Sequence, residues 1–235
     1  MSIRLVDVTK AYRTNRGVHP VYRNFNLQID RGDAVGVIGH NGAGKSTLLK
    51  LIAGSEKPDS GRIVRGMTVS WPLAFTGFFQ LELTGTHNAM FAARLYGKDP
   101  REVVARVKAF SELGKFMDWP VKGYSTGMRA KLGFALSLAI RFDCLLIDEV
   151  LAVGDIGFRE KAEKAIDDLR QDRAVVMVTH NLKEVIRMCN RVVIIQRGME
   201  PIVTDDVRGA VKRFHRDMTG RDYEGALAGG VEAHE

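Results

Sequence analysis

No stretch of the sequence reaches the ~18 uninterrupted apolar residues that a membrane-crossing helix needs. The opening residues, "MSIRLVDVTKAYRTNRG", hold no apolar core and no small-residue cleavage pattern, so a secretory leader is not expected. There are only 2 cysteines, Cys144 and Cys189, both in apolar surroundings and without metal-ligand spacing. That excludes a disulfide framework and a cysteine-built metal centre, and leaves two reduced, buried thiols as the expectation. Internal repeats and low-complexity tracts are missing too. Aromatics make up 8% of the residues, and nowhere do they interleave with basic residues as nucleic-acid binders require. A net charge of +7 would suit an acidic partner, but the lysines and arginines are spread along the chain, as on a generally solvated basic surface. What remains is a cytoplasmic globular chain of 235 residues, long enough for one well-packed domain over 1–235.

What is present is an alternation of strands and helices. "IRLVDVT" and "FNLQI" read as strands, and "GDAVGVIG" as a short buried strand running into a glycine-rich turn. "KSTLLKLIAG" reads as a helix that stops at Gly54, and "KPDSGRIVRG" as a turn and strand. Helical periodicity holds from about residue 84 to 140, as in "REVVARVKAFSEL". The buried strands then return with "DCLLIDEV" and "AVVMVTH", each followed by helical sequence. This order predicts an α/β fold, a parallel sheet covered on both faces with a helical insertion. The Gly- and Ala-rich tail from about residue 220 to 235 is expected to fray.

The turn "GHNGAGKST" fits G-x-x-x-x-G-K-[ST] and stands between a buried strand and a helix, where its mechanism requires it. Gly39, His40, Asn41, Gly42, Ala43, Gly44, Lys45, Ser46 and Thr47 are therefore assigned to a nucleoside triphosphate. Flexible glycines turn successive N–H groups inward, and the positive end of the next helix adds to them. Lys45 is expected on the β- and γ-phosphates and Ser46 on Mg²⁺. "CLLIDEV" carries Asp148 and Glu149 to the C-terminal end of a buried strand, where open α/β sheets bind ligands. Asp148 suits the Mg²⁺ shell, and Glu149 suits polarisation of an attacking water. His180 closes the third buried strand, "AVVMVTH", in the order expected of a γ-phosphate contact.

With these residues in place the chain resembles the nucleotide-binding domain of ABC ATPases over about residues 3 to 205. The piece that carries the resemblance is "YSTGMRAKLGFALSLA", similar to the LSGGQ signature and its helix. Ser125 and Gly127 match; Tyr124, Thr126 and Met128 depart. The resemblance implies a P-loop ABC ATPase fold with a mainly parallel core, an antiparallel β subdomain and a helical subdomain at about 84–140. It implies ATP and Mg²⁺, and two chains paired head to tail so that Ser125 and Gly127 contact the ATP of the partner. It places Tyr12 on the adenine, although a strand-end tyrosine also packs there simply by being amphipathic. Gln80 would link Mg²⁺ and the attacking water to a membrane permease, and Asp155 would contact the partner across the dimer interface.

"SWPLAFTGFFQLELTGTHNAMFAARLYG" and "YSTGMRAKL" further resemble the ATPases of capsular-polysaccharide export, a group related to O-antigen and teichoic-acid exporters. The expected protein is an ATPase on the cytoplasmic face of the inner membrane, driving a separate permease. The permease near Gln80 would dock on residues 84–91 and on the aromatic run "FTGFF", unless Phe75, Phe78 and Phe79 merely fill the junction between lobes. Two other readings are an ATPase for another exported glycan or lipid-linked polymer, and a soluble ABC ATPase acting on nucleic acid or the ribosome.

Overall fold

The run "AVGVIG" forms strand β3 (Ala34–Gly39), and all six of its residues are buried. Strands β7 (Ala174–Val178) and β8 (Arg191–Ile195) flank it, both parallel to it. A strand enclosed at both edges and both faces needs a continuous apolar run rather than an alternating one. The whole sheet runs β5 (Val69–Pro72), β6 (Cys144–Asp148), β7, β3, β8 and β9 (Ile202–Thr204), with β9 alone antiparallel at its edge. The computed structural model describes residues 1–15, 17–72, 79–148, 156–221 and 223.

A second sheet, wholly antiparallel, has the order β2-β1-β4, formed by β1 (Ser2–Thr14), β2 (Gly17–Asp30) and β4 (Ser60–Arg65). Strands β1 and β2 are longer than "IRLVDVT" and "FNLQI" suggest, because their pairing shifts register between Leu5 and Val8 and twice more before Ala11. Asp7 sits there at φ 51°, its N–H bonded to Asn26 Oδ1 at 3.0 Å. A bulge flips which face each later residue takes, and this breaks the alternation that marks a strand in sequence.

Helix α1 (Lys45–Ala53) lies between the two sheets and buries Leu48, Leu49, Leu51 and Ile52 in a core shared with Ile3, Leu5, Leu27 and Val35. Its last carbonyls are not left bare: Arg65 on β4 donates to Ile52 O at 2.8 Å and also to Leu51 O. A guanidinium at a helix C-terminus answers both the orphan acceptors and the dipole. Between β5 and β6 come α2 (Gly85–Leu95), α3 (Pro100–Ser111) and α4 (Thr126–Ile140), packed around Val107, Met117, Leu132 and Leu136. Helices α5 (Ile156–Leu169), α6 (Leu182–Met188) and α7 (Val207–Thr219) complete the chain as described. The parallel core, the antiparallel sheet and the intervening helices agree with the fold class read from the sequence. No helix among the described residues is long and apolar enough to cross a membrane.

Burial pushes the thiols of Cys144 and Cys189 up to about 12, so both are protonated at neutral pH. Of the two readings given for the "FTGFF" run, Phe79 follows the packing one. It is buried in the core of α2, α3 and α4 rather than held out for a partner. Phe75, Phe78, Glu149, Asp155 and the tail beyond Tyr223 lie outside the described residues.

Candidate active site

The sheet register brings three sequence signals to one edge. Val178 of β7 pairs with Val37 on one side and Asp148 on the other. Gly39 and His180 each lie two positions beyond that pairing, so the phosphate loop, Asp148 and His180 all emerge where β3, β6 and β7 end. This is the carboxyl edge of a parallel sheet, the usual site of ligand binding in such folds.

The phosphate loop itself is built to receive a guest. Helices α2, α3, α4, α6 and α7 begin on Thr84, Asp99, Ser125, Asn181 and Asp206, and each of these side chains accepts a hydrogen bond from its own first turn. Helix α1 begins instead on Gly44, in the left-handed region at φ 118°, with no side-chain cap. A cap is worth about 1 kcal/mol, and leaving it out keeps the first amides of α1 available to an anion. A side chain at Gly44 would also collide with Val21 Cγ1 at 2.4 Å. Lys45 is 7% exposed, and its ammonium group reaches back to Gly39 O at 2.8 Å and His40 O at 3.0 Å.

One residue that supports this loop gave little warning in the sequence. The buried Tyr22 of β2 donates to Gly44 O at 2.8 Å, pinning the loop from beneath. In sequence it lies before the strand read from "FNLQI" and out of step with that strand's alternation. Its burial raises the phenol's pKa above the usual tyrosine range, so it remains a donor.

Ser46 and Asp148 line one cleft of about 490 Å³, together with Lys50, Glu56, Trp71 and Tyr96. No cluster of three His, Cys, Asp or Glu side chains fit for a metal occurs among the described residues. Ser46 and Asp148 could hold a cation such as Mg²⁺, which keeps most of its shell as phosphate oxygens and water. A second cleft of about 550 Å³ brings Gly39, His40 and Asn41 against Thr179 and His180. Its far wall is the end of α7, where Phe214 meets the His40 ring edge-on at 6.2 Å. That wall was not foreseen, because α7 lies far along the chain from the phosphate motif.

Tyr12 stands beside the phosphate loop: its hydroxyl lies 3.3 Å from Thr47 Oγ1 and donates to Glu56 Oε2 at 3.1 Å. Glu56 also binds Lys10, at 2.9 Å, whose ammonium lies 5.3 Å from the Tyr12 ring centroid. The Lys10 bond holds the Glu56 carboxyl below its usual range, and Glu56 in turn raises the Lys10 ammonium. Both anchors, Lys10 and Glu56, went unnoticed in the sequence, where they read as surface charge.

Not every candidate gathers there. Gln80 is exposed, and its backbone N–H donates to the side chain of Asn88 at 2.9 Å. Ser125 and Gly127 open α4, which packs on α3 and α2, and they line neither cleft. The Ser125 hydroxyl accepts from Met128 N–H at 3.2 Å, so its own proton points elsewhere.

A protein-family model described as ABC transporter matches residues 22–152. The ATP-binding protein BexA of Haemophilus influenzae is 48% identical over 197 residues, covering 84% of this chain and 91% of that protein. The chain belongs to the ABC transporter family. It is an ATPase of that family, a nucleotide-binding subunit with the fold derived above. Among other family members, the capsule polysaccharide export ATP-binding protein CtrD of Neisseria meningitidis serogroup B is 44% identical, over 83% of this chain and 91% of its own length. A bacterial ABC transporter cassette solved as a dimer superposes with a TM-score of 0.71 at 22% identity, over 86% of this chain and 97% of that one.

Proposed function

We propose that this ABC ATPase powers the export of a capsule-type polysaccharide through a separate permease, working from the cytoplasmic face of the inner membrane as a homodimer. The observation that carries this reading is the likeness to capsule polysaccharide and polysialic acid transport ATP-binding proteins, 41–44% identical over about nine-tenths or more of their length.

In this reading ATP lies along the carboxyl edge of the sheet, its phosphates wrapped by residues 39–47. Lys45 turns from the loop carbonyls to the β- and γ-phosphates. Ser46, Asp148 and, through water, Gln80 hold Mg²⁺, which when bound draws charge from the phosphate oxygens. Glu149 polarises the attacking water, and His180 contacts the γ-phosphate from the end of β7. Ser125 and Gly127 meet the ATP of the partner chain, and Asp155 faces that interface. Tyr12 stacks on adenine. Tyr12→Ala should then weaken ATP binding by ~1–3 kcal/mol. Tyr12→Phe keeps the ring and should bind ATP almost normally, while losing about 1 kcal/mol of stability with its hydroxyl contacts. Calorimetric titration and thermal unfolding separate the two effects; equal binding by both variants would place the adenine elsewhere.

The permease would dock on α2 and the segment before it. Leu81, Leu83, Phe91 and Leu95 are 41–67% exposed there, large apolar side chains that a partner could cover. Single cysteines at Leu83 and Phe91 should cross-link to the permease, and deletion of the gene should leave a polysaccharide accumulating inside the cell. Accumulation of a different lipid-linked polymer would redirect the substrate. ATPase stimulation by DNA or ribosomes, without any cross-link, would refute the export reading.

A further inference from the structure

Asn88 lies in the first turn of α2 and is 4% exposed. Its side-chain amide makes four hydrogen bonds: Oδ1 accepts from Gln80 N–H at 2.9 Å, and Nδ2 donates to Gln80 O at 3.0 Å, Thr84 O at 3.0 Å and Leu83 O at 3.3 Å. One N–H and three carbonyls converge on it, so only one orientation of the amide satisfies them. Asparagine is a weak helix former, and these bonds rather than propensity account for its place. The two bonds to Gln80 copy a β-ladder, with the side-chain amide standing where a neighbouring peptide would. They fix the backbone from which the Gln80 side chain departs.

The opposite side of the same segment is also fastened. Lys122 N–H donates to Leu81 O at 2.8 Å and Val121 N–H to Leu83 O at 2.9 Å, while Thr84 bridges to Pro120. Lys122 adds an ion pair to Glu82 at 2.6 Å. Three residues after Lys122 comes Ser125, the N-cap of α4. Residues 80–84 are therefore held between α2 and the approach to the Ser125 loop.

We infer that Asn88 is a positioning residue that joins Gln80, the start of α2 and the Ser125 loop into one rigid unit. The inference rests on the reading of Gln80 as the glutamine that reports on Mg²⁺ and water. Gln80 then serves the ATP on its own chain and Ser125 the ATP on the partner, so the unit ties the two sites of a dimer together. A shift at one site is transmitted to the other through the 80–84 segment.

The test uses the full chain with saturating ATP and Mg²⁺. Asn88→Ala should lower kcat by about a hundredfold, the scale of a small misplacement of a catalytic group. KM for ATP should stay within about twofold, because Tyr12, Lys45 and Thr47 lie outside the unit. Gln80→Ala should lose a similar factor, and the double variant should be no slower than Gln80→Ala alone. Additive losses, or an equal fall in apparent ATP affinity, would overturn the positioning role. A wild-type rate for Asn88→Ala beside a slow Gln80→Ala would remove the clamp alone. A wild-type rate for Gln80→Ala would remove the Gln80 reading and the coupling with it. If Asn88→Ala does not fold, hydrogen exchange on the wild type decides. The Gln80 amide should exchange within about tenfold of the Val121 and Lys122 amides, as one cooperative unit. Much faster exchange at Gln80 would overturn the inference.

Discussion

Replacing Lys45 with alanine is expected to abolish measurable ATP hydrolysis and to weaken ATP binding. Lys45 is 7% exposed and supplies the one lysine or arginine of the 39–47 loop. It is the cation of the motif, and in the proposed reading it faces the charge that develops on the transferred phosphate. Losing even one preorganised donor at such a site costs roughly 100- to 1,000-fold in turnover, about 2.7–4 kcal/mol. A structural cost accompanies the chemical one, since Gly39 O and His40 O each lose the Lys45 bond. A hydrogen bond from a charged donor is worth about 1.5–3 kcal/mol, and His40 O keeps the Ala43 N–H at 3.2 Å. Lys45→Arg separates the two effects: it keeps a cation for the phosphates but does not fit the same loop. Stopped-time phosphate release with thermal unfolding in parallel makes the measurement. Near-normal turnover by Lys45→Ala would remove the phosphate loop from the account.

How much could be read in the sequence varies with how local the cause is. The phosphate loop was legible because its chemistry is compressed into nine consecutive residues, between a strand and a helix the hydrophobic pattern already marks. The positions of Asp148 and His180 were legible because Asp148 ends β6 and His180 lies two residues beyond β7, both apolar buried runs, and parallel pairing brings such strand ends together without further information. Strands β1 and β2 were read too short, since the bulges at Asp7 and Asn24 reverse the inward face partway along.

The least legible residues are those that act through contacts remote in sequence. Tyr22 reaches Gly44 across 22 positions, and the Tyr12 hydroxyl reaches Glu56 across 44. Asn88 is only eight positions from Gln80, yet nothing in a helical pattern distinguishes a buried amide from a solvated one. Phe79 shows the converse. The aromatic run beside the proposed docking site allowed either exposure or packing, and that ring fills the core under α2. Periodicity reports which face is apolar, but not what covers it.

The second large effect concerns assembly. The uncapped start of α1 and the capped start of α4 lie on different lobes of one chain, and both are assigned to one ATP. Two chains placed head to tail satisfy both assignments, with a C₂ axis and two nucleotides buried between them. ATP then acts as a shared ligand of the dimer and favours it by mass action. In this arrangement hydrolysis by the wild type would remove the γ-phosphate that both loops are assigned to hold, so the dimer should be brief. Glu149→Gln keeps the side chain's shape but cannot accept the proton, and hydrolysis should slow steeply while ATP still binds. Ser125→Asp adds a negative charge beside the partner's phosphate, yet aspartate remains a good N-cap for α4, so the fold should survive. Together the two substitutions isolate the shared phosphate contact from chemistry and from stability.

Sedimentation velocity of Glu149→Gln, with saturating ADP and then with saturating ATP and Mg²⁺, tests the central claim most directly. The predicted result is a monomer with ADP, a dimer with ATP, and a return to monomer with ATP when Ser125→Asp is added. A Glu149→Gln protein that stays monomeric at saturating ATP, or a dimer that Ser125→Asp leaves intact, would contradict a nucleotide held between the Lys45 loop of one chain and the Ser125 loop of the other.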